Sequence, residues 1–264
     1  MTSPGFRSLL YREPRLYDLV FPDVDRSVGK MVLTAIDRWL PAMPRSMLDL
    51  GCGTGRLIEV LVQTIADCWG VDLLESNIDY ARSVRSGISF QVGDMRTLRL
   101  DRTFDLVVCL GNALSYALSD DALMATVQTF AAHAHPGTLL IVDPLNARTY
   151  LEGGGFERRI EGRVETPEFR ATSVALHEID REARVLKRVR TWRIAGRADV
   201  EDYAEYRLLF PQEIQRFLET AGFDVLGMYD NRQFQPTDLS GKITAEPDIG
   251  GMRGRKLYVF ATKR

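Results

Sequence analysis

Asp49-Leu50-Gly51-Cys52-Gly53-Thr54-Gly55-Arg56 places an acid ahead of three alternating glycines, at the end of a hydrophobic run. Glycines let the backbone turn sharply and let a ligand lie against bare peptide, and the N–H groups opening a helix near Arg56 offer donors to an anion such as a carboxylate. This is the chemistry of a nucleotide-type cofactor site. Asp72 follows 72 − 49 = 23 residues later, close to the roughly 20 at which a ribose-binding acid is expected, and a carboxylate there accepts from both ribose hydroxyls. A dinucleotide fingerprint would put glycine where Arg56 or Ile58 stands, which weakens the NAD reading. Further on, a strand-like run at 88–92 leads into Gly93-Asp94-Met95-Arg96, and another at 104–109 leads into Leu110-Gly111-Asn112.

Taken in order and spacing, these signals resemble the class I S-adenosylmethionine-dependent methyltransferases, over about residues 28–150 and 207–263. The resemblance implies S-adenosylmethionine as cofactor and S-adenosylhomocysteine as product. It implies cofactor contacts from Asp49, Gly51, Cys52 (through its backbone), Gly53, Gly55 and Arg56, from Asp72 and Leu73, from Gly93, Asp94 and Met95, and from Leu110 and Gly111, with Asp94 near the adenine amino group. The run Tyr17-Asp18-Leu19 and the position of an insert are similar to aminosugar N-methyltransferases and glycine N-methyltransferase-like enzymes. On that resemblance Tyr17, and more weakly Tyr11, belongs to an amino-terminal lid over the methyl end of the cofactor, where the ring could face the sulfonium. Plain alternatives stand beside these readings: Asp49 orients the turn, and Tyr17 packs a helix.

Methyl transfer from a sulfonium is an in-line displacement on an activated carbon, so alignment does most of the work and no covalent nucleophile is needed. Asn112, Ser115 and Tyr116 are candidates to orient the acceptor, and Asp143 to accept from an amine or act as base, with capping as its plain alternative. His133 and His135 precede Pro136-Gly137 on the edge away from the cofactor and read as structural, and His177 reads as a solvated strand position.

The elements that must position these groups alternate: strands at 46–50, 67–72, 88–92, 104–109 and 138–143 with helices at 56–65, 76–85 and 120–133, after a helix over 25–40 and one or two short ones within 1–21. The expected fold is α/β, a Rossmann-like sheet of seven strands, mostly parallel with the last antiparallel, helices on both faces, and an antiparallel insert after the fifth strand. Domain bounds follow: lid 1–27, cofactor domain 28–150 and 207–264, insert 151–206. Insert strands are expected at 169–180, 184–194 and 202–210, opened by a flexible Glu152-Gly153-Gly154-Gly155 loop. A helix follows Pro211, then strands 223–229 and 256–262 joined by a long connection of 230–255. The basic run Arg181–Arg193 reads as a solvated strand face.

With 264 residues and 45% hydrophobic content the chain can bury one generous domain with an embellishment, and its net charge of −2 disfavours a phosphate-neutralising nucleic-acid enzyme. No CxxC spacing suggests a metal site among Cys52, Cys68 and Cys109, and the free thiols fit a reducing cytoplasm. No signal-peptide block or membrane-length apolar run is present. The expected partner is a small-molecule acceptor methylated on nitrogen or oxygen, with the insert's edge strand offered for a homodimer. A nucleic-acid methyltransferase and a non-catalytic binding module are the alternatives.

Overall fold

The computed structural model describes residues 8–22, 26–152, 156–237 and 251–264. Residues 153–155 of the glycine loop and 238–250 of the 230–255 connection lie outside the described residues. Two short helices, α1 (Leu9–Arg12) and α2 (Pro14–Val20), precede α3 (Ser27–Trp39). Then β1 (Ser46–Leu50), α4 (Arg56–Leu61), β2 (Asp67–Asp72), α5 (Glu75–Val84), β3 (Ser89–Val92), β4 (Phe104–Cys109), α6 (Asp120–Ala132) and β5 (Ala134–Val142) alternate as expected. A short α7 (Ala147–Leu151) leads to β6 (Arg159–Glu165), β7 (Arg170–Asp180), β8 (Val185–Ile194) and β9 (Val200–Arg207), and α8 (Pro211–Thr220), β10 (Phe223–Tyr229) and β11 (Tyr258–Lys263) close the chain.

The main sheet runs β10-β11-β5-β4-β1-β2-β3. β1 pairs in parallel with both β2 and β4, so the strand order reverses beside it, while β11 runs antiparallel to β5 and β10. Ligands bind where loops diverge from such a switch point. Apolar stripes on α3, α4 and α5 bury Val32, Ile36, Ile58 and Ile78 against one sheet face. Val127 and Phe130 of α6 and Ile214 and Leu218 of α8 cover the other. Helices on both faces leave the strand ends as the open edge.

The second sheet runs β6-β7-β8-β9, all antiparallel. It has four strands rather than the three expected. In β6 only Ile160 and Val164 are half-buried, between charged neighbours, so the strand carries a weak apolar alternation. Charged edge strands of this kind resist pairing with other chains. Helix α4 stops at Leu61 rather than 65, where Thr64 Oγ1 donates to the Leu61 carbonyl at 3.1 Å and turns the chain into β2. No helix among the described residues is long and apolar enough to cross a membrane.

Candidate active site

The switch point carries a cavity of about 640 Å³, inside the range of roughly 300–1,000 Å³ usual for small-molecule sites. Its floor is the glycine turn between β1 and α4. Gly51 N and Cys52 N donate to the Val71 carbonyl at 2.8 and 3.0 Å, which fixes the turn to β2. Gly51 has φ +79°, and a Cβ there would lie 2.6 Å from that of Ala113; Gly55, at φ +80°, would drive a Cβ to 2.7 Å from the Phe90 ring. Only glycine fits either position.

Asp72 ends β2 and holds the turn from the side. Its Oδ2 accepts Gly53 N at 2.9 Å, and Oδ1 accepts Leu74 N at 2.9 Å and Asn77 Nδ2 at 3.1 Å. Burial raises its pKa against these bonds. Asp49 is 3% exposed, and burial, then the charges of Asp72 and Asp143, push its pKa up to about 8. Asp94, next to Gly93 and Met95 on the cavity wall, is paired with Arg96 through Nη2 at 2.6 Å and Nε at 2.9 Å, and the Arg96 side chain holds its pKa down. Leu73, Leu110 and Gly111 line the same cavity.

At the far end of the floor, Asn112 follows β4 at φ +66°, a region asparagine tolerates. Its backbone N–H donates to Asp143 Oδ1 at 2.9 Å, and its side-chain Oδ1 is buried without a hydrogen-bond partner. The other oxygen of Asp143 accepts Lys256 Nζ at 2.7 Å. Each Asp143 oxygen is therefore already engaged, which suits a holding role better than the base role offered from the sequence.

The roof comes from α1, α2 and the second sheet. Tyr17 of α2 lines the cavity, with the Arg56 guanidinium 4.9 Å from its ring centroid. The side chain of Arg56 thus turns up to the lid, where it also meets the Phe21 carbonyl and lies 3.4 Å from Asp18, and only its backbone belongs to the turn. Asp18 further accepts from Thr54 Oγ1 at 2.6 Å and Arg85 Nη2 at 3.0 Å. Tyr116 Oη links Tyr11 Oη at 2.9 Å to Tyr206 Oη at 3.3 Å, joining lid, floor and insert.

Beyond the expected residues, Arg188, Arg190 and Tyr206 of the insert and Lys256 near the carboxyl end also line the cavity. This corrects the reading of the basic run. Val189 is exposed, whereas Arg188 and Arg190 occupy the inner face of β8. That face meets the polar cleft at Arg188 and Arg190 and apolar clusters at Leu186, Trp192 and Ile194, so apolar alternation did not mark the two arginines as cavity positions. The histidines stand apart: His133 Nε2 accepts Leu100 N at 3.0 Å, His135 Nε2 lies 3.0 Å from Asp105, and His177 does not line the cavity.

A glycine turn after β1, an acid ending β2, and a reversed β11 at one side of the sheet together give the fold of the class I S-adenosylmethionine-dependent methyltransferases. Residues 47–137 match the family model described as a methyltransferase domain. The chain is similar to the dTDP-3-amino-3,4,6-trideoxy-alpha-D-glucopyranose N,N-dimethyltransferase of Streptomyces venezuelae, 35% identical over 38% of this chain and 42% of that protein. Among solved structures it resembles DesVI of the same species, with TM-score 0.76, 21% identity, and 96% and 98% of the two chains covered. The sugar N-methyltransferase KedS8 from Streptoalloteichus sp ATCC 53650 superposes with TM-score 0.75 at 20% identity, covering 100% of this chain and 96% of that one. The chain spans about half the length of the first curated relatives it matches.

Proposed function

We propose that the protein transfers a methyl group from S-adenosylmethionine to the nitrogen of a small-molecule amine, of the amino-sugar kind its relatives' names describe. The observation that carries this reading is the cavity at the switch point, where the glycine turn after β1, Asp72 at the end of β2 and the Asn112 turn after β4 meet beneath Tyr17 and Tyr11.

The residues fit the cofactor. Gly53 and Gly111 have no atom within 4 Å of where a Cβ would stand, leaving bare backbone open to a ligand. Asp72 Oδ2 carries one hydrogen bond and has capacity for a ribose hydroxyl. When bound, the cofactor supplies a methyl group already activated by its sulfonium charge. The chain's own part is positioning: Asn112, on the cavity wall, is a candidate to orient the amine, and Asp143 holds the Asn112 backbone and Lys256 in place. Tyr17 and Tyr11 close the roof and keep water out. A neutral amine attacks unaided, so the lack of a histidine in the cavity agrees with nitrogen rather than hydroxyl methylation.

Calorimetry with S-adenosylhomocysteine tests the cofactor half. Asp72→Ala is expected to weaken binding by at least about tenfold, one lost charge-assisted bond to a hydroxyl, with unchanged circular dichroism. Equal affinity would remove Asp72 from the ribose role, and no binding by the natural chain would refute the function.

A further inference from the structure

Three carboxyl groups meet at the floor, and the fold treats them unequally. Asp72 accepts three hydrogen bonds, and Asp143 holds the Asn112 backbone and Lys256. Asp49 lines the same cavity and is 3% exposed, yet no hydrogen bond or ion pair reaches its carboxyl among the described residues. Its register partners, Gly70 on β2 and Val108 on β4, bring no polar side chain. The titratable groups around it are Asp72 from β2, Asp143 from β5, and the thiols of Cys52 in the turn and Cys109 in β4. From α3 come Ser27, Val28 and Met31, none of them charged. Cations on the neighbouring elements are committed elsewhere: Lys256 to Asp143, Arg56 and Arg85 to Asp18, and Arg232 to Ser27 Oγ and Tyr258 Oη. A buried carboxyl among like charges keeps its proton, and burial, then Asp72 and Asp143, push Asp49 up to about 8. A cation beside it reverses that preference.

We infer that Asp49 is the residue that tells the charged methyl donor from its neutral product: it stays a neutral carboxyl in the unliganded protein and beneath S-adenosylhomocysteine, and gives its proton to solvent when a cationic ligand lies on the floor. The inference rests on the methyl-transfer reading for the identity of the ligands. Donor and product differ by one methyl group and one positive charge, so the glycine turn and Asp72 hold both alike. A group that changes its own charge separates them. Its O–H bond breaks, the proton passes to solvent or buffer, and the carboxylate left behind attracts the positive charge. Once that charge departs with the methylated amine, a solvent proton restores the O–H bond, and the attraction that favoured the donor is gone. A permanently ionised acid at this place would sit buried and uncompensated in the unliganded chain, which is the costly arrangement. A proton that comes and goes avoids it.

The test titrates S-adenosylmethionine and S-adenosylhomocysteine into the full chain near neutral pH, in buffers of different ionisation enthalpy, so that calorimetry counts the protons exchanged. Release of most of a proton is expected with the donor and little with the product. Asp49→Asn should bring the two counts together, a control that also subtracts any proton belonging to the ligands' own amino groups. On the natural chain, affinity for the donor relative to the product should rise with pH between about 6 and 7.5, by up to about tenfold per pH unit, because binding that releases a proton gains as protons become scarce. Should Asp49→Asn lose both ligands, that ratio alone decides. If S-adenosylhomocysteine binds but the ratio is flat and the proton counts are equal, or if Asp49→Asn keeps the difference in counts, discrimination by Asp49 is overturned and methyl transfer stands. If neither ligand binds the natural chain, the methyl-transfer reading falls and this inference with it.

Discussion

Two side chains in the floor carry opposite kinds of tension. Asn112 Oδ1 lacks a donor, and Asp49 lacks a counter-charge and sits beside two other acids. Removing the first should spare the cofactor and injure the chemistry: Asn112→Ala is expected to lower kcat roughly 10–100-fold, about 1.4–2.7 kcal/mol of barrier, with S-adenosylhomocysteine affinity unchanged. A change confined to cofactor affinity would move Asn112 out of the acceptor chamber. Asp49 makes a pH prediction whose sign follows from its environment. A carboxyl raised to about 8 by burial keeps its proton in the folded chain after the unfolded chain has lost it. Stability of the unliganded protein then falls as pH rises from the ordinary carboxylate range toward 8. Asp49→Asn removes that slope, so the variant should match the natural chain near pH 4 and exceed it at pH 8, by about 2–4 °C in thermal midpoint for each kcal/mol gained. Parallel profiles of the two proteins would show that Asp49 is ionised in the fold.

Between elements, one carboxylate ties the lid to the floor. Asp18 of α2 accepts from Thr54 in the glycine turn and from Arg85 beyond α5, whose side chain is 5% exposed and has Glu59 as its other ion-pair partner. Asp18→Ala leaves that buried guanidinium half-compensated, so unfolding in urea should show a loss of about 1–3 kcal/mol, and the S-adenosylhomocysteine dissociation rate should rise as α2 detaches. A stability loss without faster release would make Asp18 a structural anchor only. Nothing adjacent in the chain announces this contact, since Asp18 lies 36 residues from Thr54 and 67 from Arg85. The alternating strands, the glycine turn and the positions of Asp72 and Asn112 at strand ends were legible because period and spacing are local. Lys256 was not, because its partner Asp143 is 113 residues away. Strand β6 was missed because its charges mask the alternation, and Arg188 and Arg190 because burial beneath a polar roof has no apolar signature.

At the scale of the molecule, the amino-terminal helices, the second sheet and the segment after β5 share cores rather than merely touching. Leu9, Leu10 and Leu16 of the lid pack with Phe169, Trp192 and Ile194 of the insert, and Leu186 and Tyr206 of the insert pack with Leu145 and Tyr150 beyond β5. A ligand held on the floor therefore bears on two roofs that are themselves fastened together. Binding at about 100 times Kd stabilises the folded state by about 2.7 kcal/mol, which for a chain of this size is a rise of roughly 5–10 °C in thermal midpoint. Hydrogen exchange should distribute that gain. With S-adenosylhomocysteine bound, slower exchange is expected in residues 51–55, in α2 and in β8, with β6 unchanged at the far edge of the insert. Protection confined to 51–55 would mean that the roofs do not respond to the floor, and that the shared cores fix the lid and insert without coupling them to the site.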